Sequence, residues 1–192
     1  AETMILQAAD YADADRPDIS LLPDGTLSTG ERGEVSYRFS VPADGMYTVS
    51  LRYFPGAGSG GDILRALRIN GETPFEEAAS LAFSRLWNDS SRDYKNASGN
   101  QPFPAQVQTP EWRSAACRDA EGYETQPFRF FLHAGENELT LVSLKEGMVL
   151  STITIAPPQS HPSYAQYLAA ALANGAEYRD ITPIKLQAED AA

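Results

Sequence analysis

The sequence predicts a mainly β fold, an antiparallel sandwich, on three observations. The runs 34–41 and 46–53 alternate apolar and polar residues without a break, the pattern of strands with one face in the core and one in water. The 14 glycines and 13 prolines are scattered along the 192 residues, as suits many short elements joined by turns. Asn70-Gly71 directly follows an apolar run, and that dipeptide favours a tight turn between strands.

In chain order, 4–8 reads as a short opening strand and the acid- and alanine-rich stretch 10–18 as a surface loop. In 34–41, Val35, Tyr37, Phe39 and Val41 share a face; in 46–53, Tyr47, Val49, Leu51 and Tyr53 do. Pro42-Ala43-Asp44-Gly45 supplies turn residues between them, so the two runs are expected to pair as a hairpin. The glycine-rich stretch 55–61 reads as a flexible inter-strand loop, and Ile63–Ile69 as the next strand, with Ile63, Arg65, Leu67 and Ile69 on one face. Thr73-Pro74-Phe75-Glu76 has the spacing of a helix start with Pro at the first position. The stripe Phe75, Ala78, Ala79, Ala82, Phe83, Leu86 extends that helix over 74–87.

From 88 to 126 periodicity disappears, giving a long loop insertion; such loops on β scaffolds often carry function. Strands return at 128–132, 138–144 and 148–155. Pro157-Pro158 ends the sheet, and a C-terminal helix over 163–174 closes on Gly175. The fold class is thus mainly β, an antiparallel sandwich with one inserted helix, a long loop insertion and a C-terminal helix.

Leu6-Gln7-Ala8-x-Asp10 recurs as Leu186-Gln187-Ala188-x-Asp190. Chance explains so short a match in one way; the start of a second copy of the module explains it in another. The second reading divides the chain into a β-sandwich module over 1–157, a helical connector over 158–183, and the first strand of a second module over 184–192. Ala1-Glu2-Thr3-Met4 holds no basic or apolar signal region, which predicts a processed form.

The formal net charge of −11 opposes phosphate-rich partners, so nucleic acid and anionic membrane surfaces are not expected. No apolar run is long enough to span a membrane. One cysteine, Cys117, excludes an intrachain disulfide and a cysteine-based metal site; without an adjacent base it reads as inert. Gly56-Ala-Gly-Ser-Gly-Gly61 lacks the Lys-Ser/Thr ending of a phosphate loop. Asp89-x-Ser91-x-Asp93 begins like a calcium loop, but Tyr94 stands where that loop needs Gly and Asn100 where it needs Glu. His133 and His161 have no Ser or Cys partner in a recognisable motif, so no catalytic triad is expected. Asn88-Asp-Ser90 and Asn96-Ala-Ser98 match the glycosylation sequon, which matters only in a eukaryotic source.

Sugars present flat apolar faces ringed by hydroxyls, so a sugar site needs an exposed aromatic plate beside amides and carboxylates. The insertion supplies these types: Trp87, Asp89, Asp93, Tyr94, Asn96, Asn100, Trp112 and Tyr123 form the candidate ligand-binding set, with Asn88 and Gln106 close in sequence. The same tryptophans also suit packing the insertion onto the sheet. No catalytic residue, cofactor or metal ligand is assigned.

Three stretches carry a family resemblance: the first strand ending Gln7-Ala8-Ala9-Asp10, the run Val35-x-Tyr-x-Phe-x-Val-Pro-Ala-Asp-Gly-Met-Tyr-x-Val-x-Leu-Arg-Tyr53, and His133-Ala-Gly-Glu-Asn-Glu-Leu-Thr-Leu141. They resemble family 6 and family 35 carbohydrate-binding modules, which are galactose-binding-like jelly rolls. The resemblance covers about residues 4–156 and implies a non-catalytic carbohydrate-binding module of a secreted or surface bacterial protein. In that family a Glu of the first strand often helps hold a structural calcium; Ala9 occupies its position here and offers no side-chain oxygen. Phe83-Ser-Arg-Leu-Trp-Asn-Asp89 and Pro162-Ser-Tyr-x-x-Tyr-Leu168 further resemble the accessory region of extracellular solute-binding proteins of bacterial ABC transporters. Expected partners are a carbohydrate and other domains of the same polypeptide, and the expected location is extracellular or cell-surface. A structural or protein-interaction module with no sugar ligand stays open, as does, last, a glycoside hydrolase.

Overall fold

A computed structural model of the chain describes residues 2–15, 18–90, 95–100 and 103–177. The chain divides into two compact units, Ala1–Pro158 and Gln159–Ala192.

In the first unit the strands, in chain order, are β1 (Met4–Gln7), β2 (Asp13–Asp15), β3 (Ile19–Leu21), β4 (Leu27–Thr29), β5 (Glu34–Val41), β6 (Gly45–Pro55) and β7 (Ile63–Ile69). They continue with β8 (Leu81–Phe83), β9 (Trp87–Asp89), β10 (Gln106–Gln108), β11 (Arg113–Ala116), β12 (Phe130–Leu132), β13 (Gly135–Lys145) and β14 (Met148–Ala156). Among the described residues, seven strands form one sheet, in the order β11-β6-β14-β4-β3 with β1 also on β14 and β12 also on β6. Five strands form a second sheet, β2-β5-β13-β7-β8, and β9 and β10 make a separate two-stranded ribbon. Every pairing is antiparallel. The fold is therefore a mainly β, antiparallel sandwich of the jelly-roll kind.

The alternation in β5 and β6 assigns their faces correctly but not their partners. Val35, Tyr37, Phe39 and Val41 are buried from one sheet, and Tyr47, Val49, Leu51 and Tyr53 from the other. The expected hairpin does not form: β5 pairs with β13 and β2, whereas β6 pairs with β14, β11 and β12. The 42–44 turn instead carries the chain from one sheet to the other. Two half-buried strands can bury their apolar faces against each other across a sandwich as well as side by side in one sheet. Alternation does not choose between these arrangements.

The expected helix over 74–87 is also absent. Glu76–Ala79 makes a short 3-10 turn whose preceding residue, Phe75, is extended and gives no side-chain cap. The chain then becomes β8, which pairs with β7 and buries Leu81 and Phe83 on its inner face. Leu81 lies outside the apolar helical stripe and Phe83 within it, but the two stand two residues apart on one strand face, and pairing with the edge of β7 buries both in the core. The insertion is more ordered than its sequence suggests, since β9, β10 and β11 all lie within it.

Tyrosine hydroxyls tie the core to its rim. Tyr37 Oη donates to the Ala8 carbonyl at 3.0 Å and Tyr53 Oη to Ser84 O at 2.8 Å. Ala8 is fully buried in a 3-10 turn that follows β1. The Asn70-Gly71 turn has positive φ at both residues, +53° and +85°, as a tight turn after β7 requires.

In the second unit, α1 (Tyr164–Ala173) begins with a capping box: Ser163 Oγ accepts from Gln166 N, and the Gln166 side chain accepts from Ser163 N. Gly175, with φ +87°, follows its C-terminus, as expected from the sequence. The repeat at 184–190 lies outside the described residues.

Candidate ligand-binding site

The β9–β10 ribbon gathers part of the predicted set. Its register sets Trp87 opposite Gln108, Asn88 opposite Val107 and Asp89 opposite Gln106. Directly opposed residues in an antiparallel pair project to the same side. One face therefore carries the Trp87 indole, the Gln108 and Gln106 amides and the Asp89 carboxylate. Gln106 Nε2 donates to Asp89 Oδ1, which orients both groups. The ribbon is closed by Thr109 N to Leu86 O at 2.9 Å and Ser90 N to Ala105 O at 2.8 Å, and on its other face Asn88 Nδ2 donates to Thr109 Oγ1 at 2.9 Å.

Trp87 keeps 43% of its surface exposed. Its Cη2 and Cζ2 lie 3.1 and 3.3 Å from where a Cβ on Gly60 would stand, so the ring rests on a glycine in the 56–61 loop. That loop is not the flexible connector its composition suggests. Arg85 donates to Gly61 O at 2.8 Å and to Gly56 O at 2.7 Å, and Glu146 accepts from Ser59 N at 3.0 Å and from Ser59 Oγ. Arg85 and Glu146 pair at 2.8 Å with both side chains 1% exposed. The Ser59 hydroxyl chiefly, then the loop backbone and Arg85, hold the Glu146 carboxyl below its ordinary range. Beneath the turn, inward-facing Arg65 donates to Glu146 O at 2.9 Å, Lys145 O at 3.1 Å and Thr29 Oγ1 at 3.0 Å. Burial pushes its pKa down to about 10, so it stays charged at neutral pH.

The rest of the predicted set is dispersed. Trp112, 39% exposed, precedes β11 and packs on Phe54 of β6, ring centroids 5.6 Å apart, with the Arg52 guanidinium 5.7 Å from its ring. Tyr123, 88% exposed, lines a cleft of about 770 Å³ with Leu64, Ala82, Glu76, Glu77 and Asp119. Asp119 there caps its own loop: it accepts from the backbone N–H groups of Glu121, Glu124 and Tyr123, which hold its carboxyl down. Asn96 is spent on local structure, its Oδ1 accepting from Ser98 N and Asn100 N, both at 3.0 Å. Asn100 is exposed in that turn. Asp93 and Tyr94 lie outside the described residues.

Among the described residues, no group of three or more His, Cys, Asp or Glu side chains is placed to hold a metal ion, and no helix is long and apolar enough to cross a membrane. Cys117 is fully buried, and burial raises its thiol pKa to about 12.

Sequence reasoning missed Gly60, Arg85, Gln108 and Glu146. Gln108 lies in a three-residue strand too short to show alternation. Arg85 and Glu146 are charges, which sequence places on the surface by default, and their pairing spans 61 positions.

No protein-family model and no curated protein matches the chain. Solved structures do. A family 35 carbohydrate-binding module from Clostridium thermocellum aligns at 15% identity over 81% of this chain and 98% of its own, with a TM-score of 0.49. The C-terminal family 6 module of a marine laminarinase from Zobellia galactanivorans aligns at 16% identity over 81% and 100%, with a TM-score of 0.45. The GH26-CBM35 β-(1,4)-mannanase of Podospora anserina aligns at 16% identity over 83% of this chain, with a TM-score of 0.46; the chain spans 28% of that protein's length. At these identities the likeness concerns the fold alone.

Proposed function

We propose that this chain is a non-catalytic carbohydrate-binding module whose ligand lies on the Trp87 face of the β9–β10 ribbon. One observation carries the reading: the register that sets Trp87 against Gln108 and Asp89 against Gln106 puts an exposed indole, two amides and a carboxylate on one side. The indole offers an apolar plate to a sugar face, and the planar polar groups offer donors and acceptors to its hydroxyls. Trp112 and Tyr123 are further exposed aromatics, each in surroundings of its own. With a net charge of −11, the ligand class is neutral polysaccharide rather than one rich in uronic acid or sulfate.

A purely structural module expects both tryptophans in the core, and neither is there. The setting we propose is an extracellular or cell-surface bacterial protein associated with transport, with the 1–157 module joined through 158–183 to a second module that begins near 184. This rests on the sequence resemblance and on the repeat at 186–190.

Affinity electrophoresis of the chain in gels containing β-mannan, xylan or dextran tests the binding reading. Retardation by at least one is expected, and unretarded migration in all three, and in a wider neutral panel, contradicts it.

A further inference from the structure

We infer that Arg85 and Glu146 are positioning residues for Trp87, their buried ion pair fixing the 56–61 loop as the floor on which the indole stands. The inference rests on the reading of Trp87 as a ligand-contacting side chain. Three features lead to it. The pair holds the loop along its whole length: Arg85 takes the carbonyls of Gly56 and Gly61 at its two ends, and Glu146 takes the amide and hydroxyl of Ser59 in the middle. The fit leaves no slack, since a Cβ on Gly58 would overlap Glu146 Oε2 and stand 2.9 Å from Arg85 Nη2. Gly60, held between Ser59 and Gly61, is the residue the indole rests on.

Arg85 also stands two residues before Trp87, between β8 and β9, so it fixes the ribbon's entry and its floor together. Glu146 reaches the loop from a backbone with φ +60°, a conformation that disfavours a side chain. Arg65 secures that backbone through the carbonyls of Lys145 and Glu146. A glycine-rich loop left to itself samples many conformations. Charge-assisted hydrogen bonds in a buried setting restrict it to one.

The test uses the full chain carrying Trp112→Phe, so that Trp87 is the single tryptophan of the original two. Trp87 emission and acrylamide quenching are read below the melting transition in this chain and after adding Glu146→Gln. A double Arg85→Met, Glu146→Met variant is read alongside. It removes both charges of the pair together, so it is the informative variant if Glu146→Gln fails to fold. The expected result is a red-shifted emission and a higher quenching constant in each folded variant. Retention in the polysaccharide gel that binds the Trp112→Phe chain should weaken about tenfold. Folded variants whose Trp87 emission and quenching match the Trp112→Phe chain overturn the inference, whatever their retention. If the emission shifts but no polysaccharide retains even the unsubstituted chain, the positioning of Trp87 stands and the ligand reading fails.

Discussion

The indole of Trp87 rests on Gly60, its Cη2 3.1 Å from the place a Cβ would occupy. Gly60 also has φ +93°, a region where a side chain is strained. Gly60→Ala is therefore expected to cost about 1–2 kcal/mol through the backbone and, separately, to lift the indole. Thermal unfolding measures the first effect and Trp87 emission in the Trp112→Phe chain the second. An unchanged emission maximum would show that the ring does not rest there.

Glu146 makes the stability of the first unit pH-dependent. Its folded-state pKa is held below the ordinary value of 4.5, first by the Ser59 hydroxyl, then by the Ser59 backbone, Arg85 and Gly61. A carboxyl depressed on folding contributes stability that is full above its unfolded value and is lost as pH falls through the folded value. Arg85, Arg65 and Lys145 are the positively charged groups around it. Melting temperature should thus fall below about pH 4.5, and the fall should be shallower in Glu146→Gln. Equal slopes would show that Glu146 does not titrate as its contacts require.

Adjacent phenylalanines on β12 face opposite ways. Phe130 is fully buried, its ring centroid 5.3 Å from that of Phe75, while Phe131 is exposed opposite Met46. Phe130→Ala should cost about 3–5 kcal/mol, and Phe131→Ala about 1 kcal/mol or less. Chemical denaturation of both variants checks the contrast. Similar losses would mean that the register of β12 on β6 is wrong.

Cys117 should not react with an aromatic disulfide reagent in the native chain near neutral pH, because burial raises its thiol pKa to about 12 and removes access. One thiol per chain should appear on unfolding. Fast native labelling would place Cys117 outside the core.

The fold was legible where local pattern decides structure. Val35 to Val41 and Tyr47 to Tyr53 show their inward faces in sequence, Asn70-Gly71 shows its turn, and Gly175 shows the end of α1. What stayed hidden depends on partners distant in the chain. The pairing of β5 with β13 rather than β6 is such a case, and so is β8 in place of a helix, where the edge of β7 overrides local propensity. The candidate site divides in the same way. Trp87 and Asp89 were visible as residue types suited to sugars. Gln108, Gly60 and the Arg85–Glu146 pair became visible only once register and burial were in place. The insertion holds the other predicted residues in separate surroundings, because β11 carries Trp112 onto β6 while Tyr123 lines the cleft that includes Leu64 and Ala82.

The most direct test of carbohydrate binding at the ribbon face compares the chain with its Trp87→Ala variant in the polysaccharide gel that retards it most. Trp87 is half-exposed, so its removal leaves the core intact. Loss of one aromatic stacking plate and its apolar contact should weaken retention by about tenfold or more. Migration of Trp87→Ala close to that in a gel without polysaccharide is the predicted result. Undiminished retardation of a folded Trp87→Ala chain would contradict the assignment of this face.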